Sequence, residues 1–279
     1  MSKLLTIPSI RDSIGYLVEE GFIGAGRISE AAEMYRGSQE RNHAPWNVGH
    51  GIDLPTFQFF ETNPKRMARF FGNMENFGSQ DAYNIRHLVE GYDWTGLGEA
   101  TVVDVGGNTG HVSLALSKKA PALNFIVQDL ENVIMDVKER AEGQPGYERL
   151  RFEAHDFFSP QPVSGAAVYL LRFICHDYSD KYAAKILQGL VPAFRQKSRI
   201  LLFDGIMPAP GTVNNLAERK ARIMDMEMMI TYNAVERDLE GWKALFAKSD
   251  KRLKLQSITT PRGSAHSLME LVLDEASDT

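Results

Sequence analysis

The stretch Ala100–His111 reads ATVVDVGGNTGH: a short apolar run that ends in three glycines and opens onto a helical pattern. Glycines between a strand and a helix permit a tight turn and close backbone approach. The helix N-terminus behind them favours polar or anionic ligand groups. The spacing departs from G-x-G-x-x-G, because Gly106, Gly107 and Gly110 leave Asn108 where a dinucleotide fold usually has glycine; asparagine tolerates left-handed geometry better than most residues. The next strand, LNFIVQDL, ends on Asp129, 25 residues beyond Asp104. An acid at that position can accept hydrogen bonds from both ribose hydroxyls of a nucleoside cofactor.

Outward from this motif the pattern alternates. HVSLALSKKAP reads as a helix stopped by Pro121; AAVYLLRFI and RILLFDGIM read as strands, with helical DKYAAKILQGLVPAF between them. A βαβ series of this kind predicts a mostly parallel, doubly wound α/β sheet with helices on both faces. Two helices follow, LAERKARIMDMEMMITYN and DLEGWKALFAKSD, and then strands at LKLQSIT and SLMELVLDE. A hairpin across TPRGSAH would bring an antiparallel strand into the sheet. Residues 1 to about 95 carry helical patterns and loops without repeated strands. The expected organisation is therefore a helical N-terminal segment, 1–95, and a cofactor-binding domain, 96–279.

Composition narrows the partners. The 279 residues are 43% hydrophobic and 24% charged, as in an ordinary globular chain, and the formal net charge is −5. Such a chain has no basic field to hold a phosphate backbone, so nucleic acid is excluded as the expected partner and a small molecule remains. The single cysteine, Cys175, excludes an intrachain disulfide, and no Cys/His cluster has metal-ligand spacing. Arg11 and Asp12 interrupt the N-terminus where a signal peptide needs an apolar block, and nowhere do about 18 apolar residues run unbroken. A cytoplasmic protein without a membrane partner is expected.

Five segments, VVDVGGNTGH, FIVQDLENVI, AHDFF, FICHDYSD and VERDLEGW, stand in an order and at separations that resemble the class I S-adenosylmethionine-dependent O-methyltransferases of the caffeate/flavonoid type and their fungal secondary-metabolite relatives. The resemblance runs from about residue 45 to the C-terminus and implies a Rossmann-like methyltransferase sheet. It also implies that S-adenosyl-L-methionine is held by Gly106, Gly107 and Gly110, by Asp129, and by Asp156 with Phe157 beside the adenine. Arg172, four positions before His176, matches a basic residue of the family at the cofactor.

The strand AAVYLLRFI is followed closely by His176. In open α/β sheets ligands bind beyond the carboxyl ends of the strands, which makes this a catalytic address. Methyl transfer from sulfonium to a hydroxyl is an in-line displacement, and the incoming oxygen is a poor nucleophile until its proton is removed. Histidine titrates near neutrality and suits the role of general base. No metal is needed. Asp204 and Glu236 match the family positions that flank and orient this histidine. Asp177 and Asp180 read as turn and helix-capping residues at the start of YSDKYAAKIL.

TNPKRMARFFGNMENF predicts a helix with Asn63 as its cap and Met67, Phe70, Phe71, Met74 and Phe77 on one face. By itself that stripe is core; the resemblance implies that Met74 lines the acceptor site. On the same ground Met228, Met229, Tyr232 and Asn233 approach from the later helix. Trp46 and His50 read as loop residues able to cover the site.

The expected function is an O-methyltransferase acting on a hydroxyl of a small aromatic or polyketide-like natural product. The alternatives are an S-adenosylmethionine-binding enzyme of the same fold that catalyses another reaction, or a non-catalytic partner subunit. The resemblance implies a winged-helix dimerisation region, usual in full-length relatives, of which this chain is expected to hold only a small part. Ile10, Ile14, Leu17 and Val18 share a helical face, so a homodimer with a weaker interface than those relatives build is expected.

Overall fold

The computed structural model describes residues 3–274, folded as two compact units. One is formed by the residues through Asn84 with His176–Lys181 and Ile206–Asp238; the other by Ile85–Cys175, Tyr182–Gly205 and the chain from Leu239 onward.

The second unit is built on a seven-stranded sheet: β1 Thr101–Val105, β2 Asn124–Asp129, β3 Leu150–Ala154, β4 Val168–Arg172, β5 Arg199–Gly205, β6 Leu253–Thr259 and β7 His266–Leu273, in the order β3-β2-β1-β4-β5-β7-β6. The first five are parallel; β7 runs antiparallel to both β5 and β6. The expected C-terminal hairpin is therefore present. Strands buried on both faces must be apolar throughout, and Val102, Val103, Val168, Leu170, Leu201 and Phe203 have no exposed surface. The helix His111–Lys119 covers β1 and β2 through Val112 and Leu116, and ends with Lys118 and Lys119, whose charges complement its dipole. Between β1 and β4 the strand order reverses. Ligands of doubly wound sheets sit at this switch point.

The structure adds β3 and the helix Glu131–Ala141 to the elements expected from the pattern. In β3 only Leu150 is buried, while Arg151 and Glu153 form an ion pair at 2.6 Å along the strand. An edge strand so charged lacks the apolar signal of its neighbours.

The first unit is helical. Pro8–Tyr16 runs into a π-helical turn, Leu17–Gly21, and packs on Pro64–Gly78. Contact is close enough that a Cβ on Gly72 would stand 2.5 Å from Asp12 Oδ2. Glu20, buried in the π turn, accepts from Trp46 Nε1 at 2.8 Å and lies 3.4 Å from Arg66 Nε. Met67 and Phe70 pack on Tyr16, Trp46 and Phe60, as the stripe implied, whereas Met74 is 39% exposed. Asn63 occupies the expected cap position, but its amide turns back to donate to Phe59 O at 3.0 Å and does not cap the helix. Trp46 and His50 lie in a short helix, Pro45–His50, with Trp46 wholly buried, and not in a covering loop. Among the described residues no helix is long and apolar enough to cross a membrane, and no group of acid, histidine and cysteine side chains could hold a metal ion.

Candidate active site

In the second unit the expected cofactor residues converge on the carboxyl ends of the parallel strands. The chain leaves β1 through Gly106, at φ +69°, and enters the following helix through Gly110, at φ +72°. Both conformations are strained for residues with a Cβ, and one on Gly106 would also meet Ile174 at 2.6 Å. A Cβ on Gly107 would meet the Asp104 carboxyl and Val127 at 2.8 Å. Asn108 adopts φ +48° as its side chain permits. Gly110 offers no side chain to cap the first-turn amides of the helix His111–Lys119.

Asp129 closes the other side of this turn. Its Oδ2 accepts from Asn108 N at 2.9 Å and its Oδ1 from Leu130 N at 2.8 Å. Burial pushes its carboxyl above the usual range, opposed by those two amides. Asp156, exposed just after β3, accepts from Phe158 N at 2.9 Å. The Phe157 ring comes within 3.5 Å of the Cβ position of Gly106, so Phe157 borders the glycine turn.

Arg172 ends β4 with its guanidinium 4.4 Å over the Phe173 ring, and its charge acts on the buried Asp104 and Asp204. Burial lowers the Arg172 pKa to about 10, and the two acids hold it up. Burial raises Asp104 to about 6, opposed chiefly by the 2.7 Å bond it accepts from Ser113 Oγ and then by Arg172. Asp204 belongs to this buried charge group of the second unit.

His176 and Glu236 meet in the first unit although 60 residues separate them: His176 Nδ1 is 2.8 Å from Glu236 Oε1, and both side chains are buried. An ionised carboxylate only accepts; in a neutral imidazole that accepts no proton from Glu236, the pairing puts the proton on Nδ1 and the lone pair on Nε2. Asp177 Oδ1 stands 3.4 Å from Nε2. Burial raises the Asp177 carboxyl to about 6, with His176 opposing and Glu236 adding to the rise. By pattern Asp177 is only a turn residue; its place against the imidazole follows from the short helical turn Cys175–Asp177.

Of the expected acceptor residues, Met228 and Tyr232 are buried on the helix Asn215–Tyr232. The Tyr232 ring stacks on Phe57 at 5.0 Å, and its hydroxyl lies 3.2 Å from that of Tyr16. Burial pushes both phenols up. Asn233 ends that helix in the left-handed region and donates to Ser38 O and Glu40 O, each at 3.0 Å. Met229 is half-buried. Tyr16, Asp225 and Arg237 were not singled out by pattern; only the position of Arg237 beside Glu236 in VERDLEGW offered a signal.

A sheet of this order, with a glycine turn after β1 and an acid ending β2, defines the Rossmann-like fold of class I methyltransferases. A profile of the O-methyltransferase domain matches residues 32–250, and the chain belongs to that family. It is 42% identical over 269 residues to O-methyltransferase VdtC of Byssochlamys spectabilis, an alignment covering 95% of this chain and 62% of that protein. It is 40% identical over 251 residues to O-methyltransferase pgmB of Aspergillus terreus, covering 88% and 70%. The chain thus spans less than two thirds of the first of these relatives. Among solved structures, LepI in complex with SAM superposes with a TM-score of 0.82 at 25% identity, over 98% of this chain and 69% of that one. OxaC in complex with SAH and oxaline gives 0.81 at 26%, over 97% and 67%.

Proposed function

We propose that the chain is the catalytic portion of an S-adenosylmethionine-dependent O-methyltransferase that acts on a hydroxyl of a small aromatic or polyketide-like natural product, with His176 as general base. One observation carries the reading: a buried imidazole whose Nδ1 lies 2.8 Å from a carboxylate oxygen, a pairing that in the neutral ring leaves the lone pair on Nε2. Membership of the O-methyltransferase family and the names of its fungal relatives support it.

Gly106, Gly107, Gly110, Asp129, Asp156, Phe157 and Arg172 would hold the cofactor. The glycine turn fits that role because side chains would fill the space along it, and Asp129 because each of its oxygens has a further lone pair for a ribose hydroxyl. When bound, S-adenosylmethionine supplies an electrophilic methyl group. The protein's own contribution is to orient the acceptor and to take its proton at His176 Nε2, while Glu236 stabilises the imidazolium that results. Asp204, placed among buried charges with Arg172, is the second acid that the resemblance assigns to orienting the base. Met74, Met228, Met229, Tyr232 and Asn233 would border an acceptor; methionine thioethers adapt well to flat rings.

The test is incubation with cofactor carrying a labelled methyl and a panel of phenolic acceptors, followed by mass spectrometry. Label should appear in the product and disappear when the acceptor hydroxyl is already methylated. An unlabelled new product would instead favour a non-methylating reaction on the same scaffold.

The N-terminal helices would serve dimerisation and acceptor coverage. Of the shared face Ile10, Ile14, Leu17 and Val18, the last three are exposed within one chain, as are Ile7 and Phe22, and Ile10 is half-buried. Such a face is stabilised by a second copy. Sedimentation over a wide concentration range should show a reversible monomer–dimer equilibrium; a single monomeric species throughout would refute it.

A further inference from the structure

The His176–Glu236 bond joins the short helical turn Cys175–Asp177 to an irregular segment distant in sequence, so something must hold the imidazole and carboxylate in register. Two flanking contacts do this. On one side the amide of Glu236 donates to Asp225 Oδ1 at 2.9 Å, tying the acid's own backbone to the helix Asn215–Tyr232. On the other side the next residue, Arg237, has a buried guanidinium that crosses to the histidine segment: Nη2 donates to Tyr178 O at 2.7 Å and Nε donates to Asp180 Oδ1 at 2.9 Å. The Arg237 carbonyl in turn accepts from Met207 N at 2.8 Å. The residue after the acid thus grips the chain two and four residues after the base.

We infer that Arg237 and Asp225 are positioning residues, which set the tautomer and orientation of His176 by holding Glu236 against Nδ1. The inference rests on His176 being the base, but the geometry it describes is measurable without turnover. A guanidinium suits the task because its planar fork donates in two fixed directions at once. A lysine ammonium is a point charge and cannot reproduce both bonds in that geometry. A displacement of about 1 Å at a catalytic group costs on the order of 10²-fold in rate, so Arg237→Lys should lower kcat by about 10- to 100-fold while KM for the cofactor stays unchanged.

The test is nitrogen NMR of histidine-labelled protein, with the His176 resonances assigned by their loss in His176→Gln. The wild type should show Nδ1 protonated, with a low-field proton typical of a bond to carboxylate. In Arg237→Lys that proton should exchange rapidly and the ring should become a mixture of tautomers, while the other histidines keep their signals. Asp225→Ala should act likewise, and Asp225→Asn, which keeps an acceptor for the Glu236 amide, should restore the wild-type spectrum. A folded Arg237→Lys protein with an unaltered His176 spectrum overturns the proposal, as does a wild-type ring without a proton on Nδ1. If Arg237→Lys fails to fold, the Asp225 pair decides: identical spectra for Asp225→Ala and Asp225→Asn overturn it. A protein that methylates nothing but shows these spectra contradicts the proposed function alone.

Discussion

Replacing His176 by alanine is expected to lower methyl transfer by about 10²-fold or more and to leave the affinity for S-adenosylhomocysteine nearly unchanged. The alanine protein lacks the lone pair that takes the acceptor's proton, and Glu236 loses the imidazolium it would stabilise. Orientation of the reactants survives, so a residual rate remains. The glycine turn and Asp129 belong to the other unit and keep their hydrogen bonds. The loss should fall on kcat and on kcat/KM alike, as for an interaction made in the transition state. Steady-state kinetics of both proteins against one acceptor measures this. Near-normal turnover by the alanine protein would sink the assignment if it persisted at a pH well below the acceptor's own pKa, where the acceptor cannot supply its own anion.

The second large effect concerns the cofactor. Asp129→Ala should weaken S-adenosylhomocysteine binding by about 10²-fold or more, because hydrogen bonds to a charged group contribute about 1.5–3 kcal/mol each and two ribose hydroxyls are available. The same substitution frees the Asn108 and Leu130 amides, which the carboxylate now holds at 2.9 and 2.8 Å. Part of the loss would therefore come from a looser glycine turn. Asp129→Asn separates the two contributions, since the amide oxygen can still accept but the charge is gone; its affinity should lie between those of the wild type and Asp129→Ala. Calorimetry gives all three affinities, and circular dichroism checks that each protein is folded. Equal affinity in all three proteins would remove Asp129 from the binding site.

These two residues differ in how openly the sequence displays them. Asp129 ends an apolar strand just after a glycine turn, so periodicity and turn chemistry alone point to it, and the structure places it 2.9 Å from the turn's own amide. The sheet was equally legible wherever strands are buried on both faces. β3 escaped because Arg151 and Glu153 interrupt its apolar run. Glu236 was reached only through resemblance: no local pattern marks an acid whose partner lies 60 residues away. The helix Pro45–His50 went unread because six residues are too few to show a period, although Pro45 in its first turn and left-handed Gly51 after its end frame it. Asn63 holds the expected cap position without a capping bond, because its carboxamide finds a partner in the preceding turn, which competes with capping. Asp177 has the chemistry of a turn former and the position of a site residue, and composition cannot separate the two.

The helical unit has a further consequence for how the protein comes into being. Tyr16 meets Tyr232 across 216 residues of chain, so the N-terminal helices leave the ribosome long before the helix that completes their core exists. At typical synthesis speeds of about 5–20 residues per second, that delay is roughly ten to forty seconds. Meanwhile β1 to β5 emerge and can pair, while the face around Tyr16, Phe57 and Phe70 waits for Met228 and Tyr232. The interval is one in which chaperones would find their substrate, and a destabilising change in Asn215–Tyr232 would lengthen it without touching a single strand.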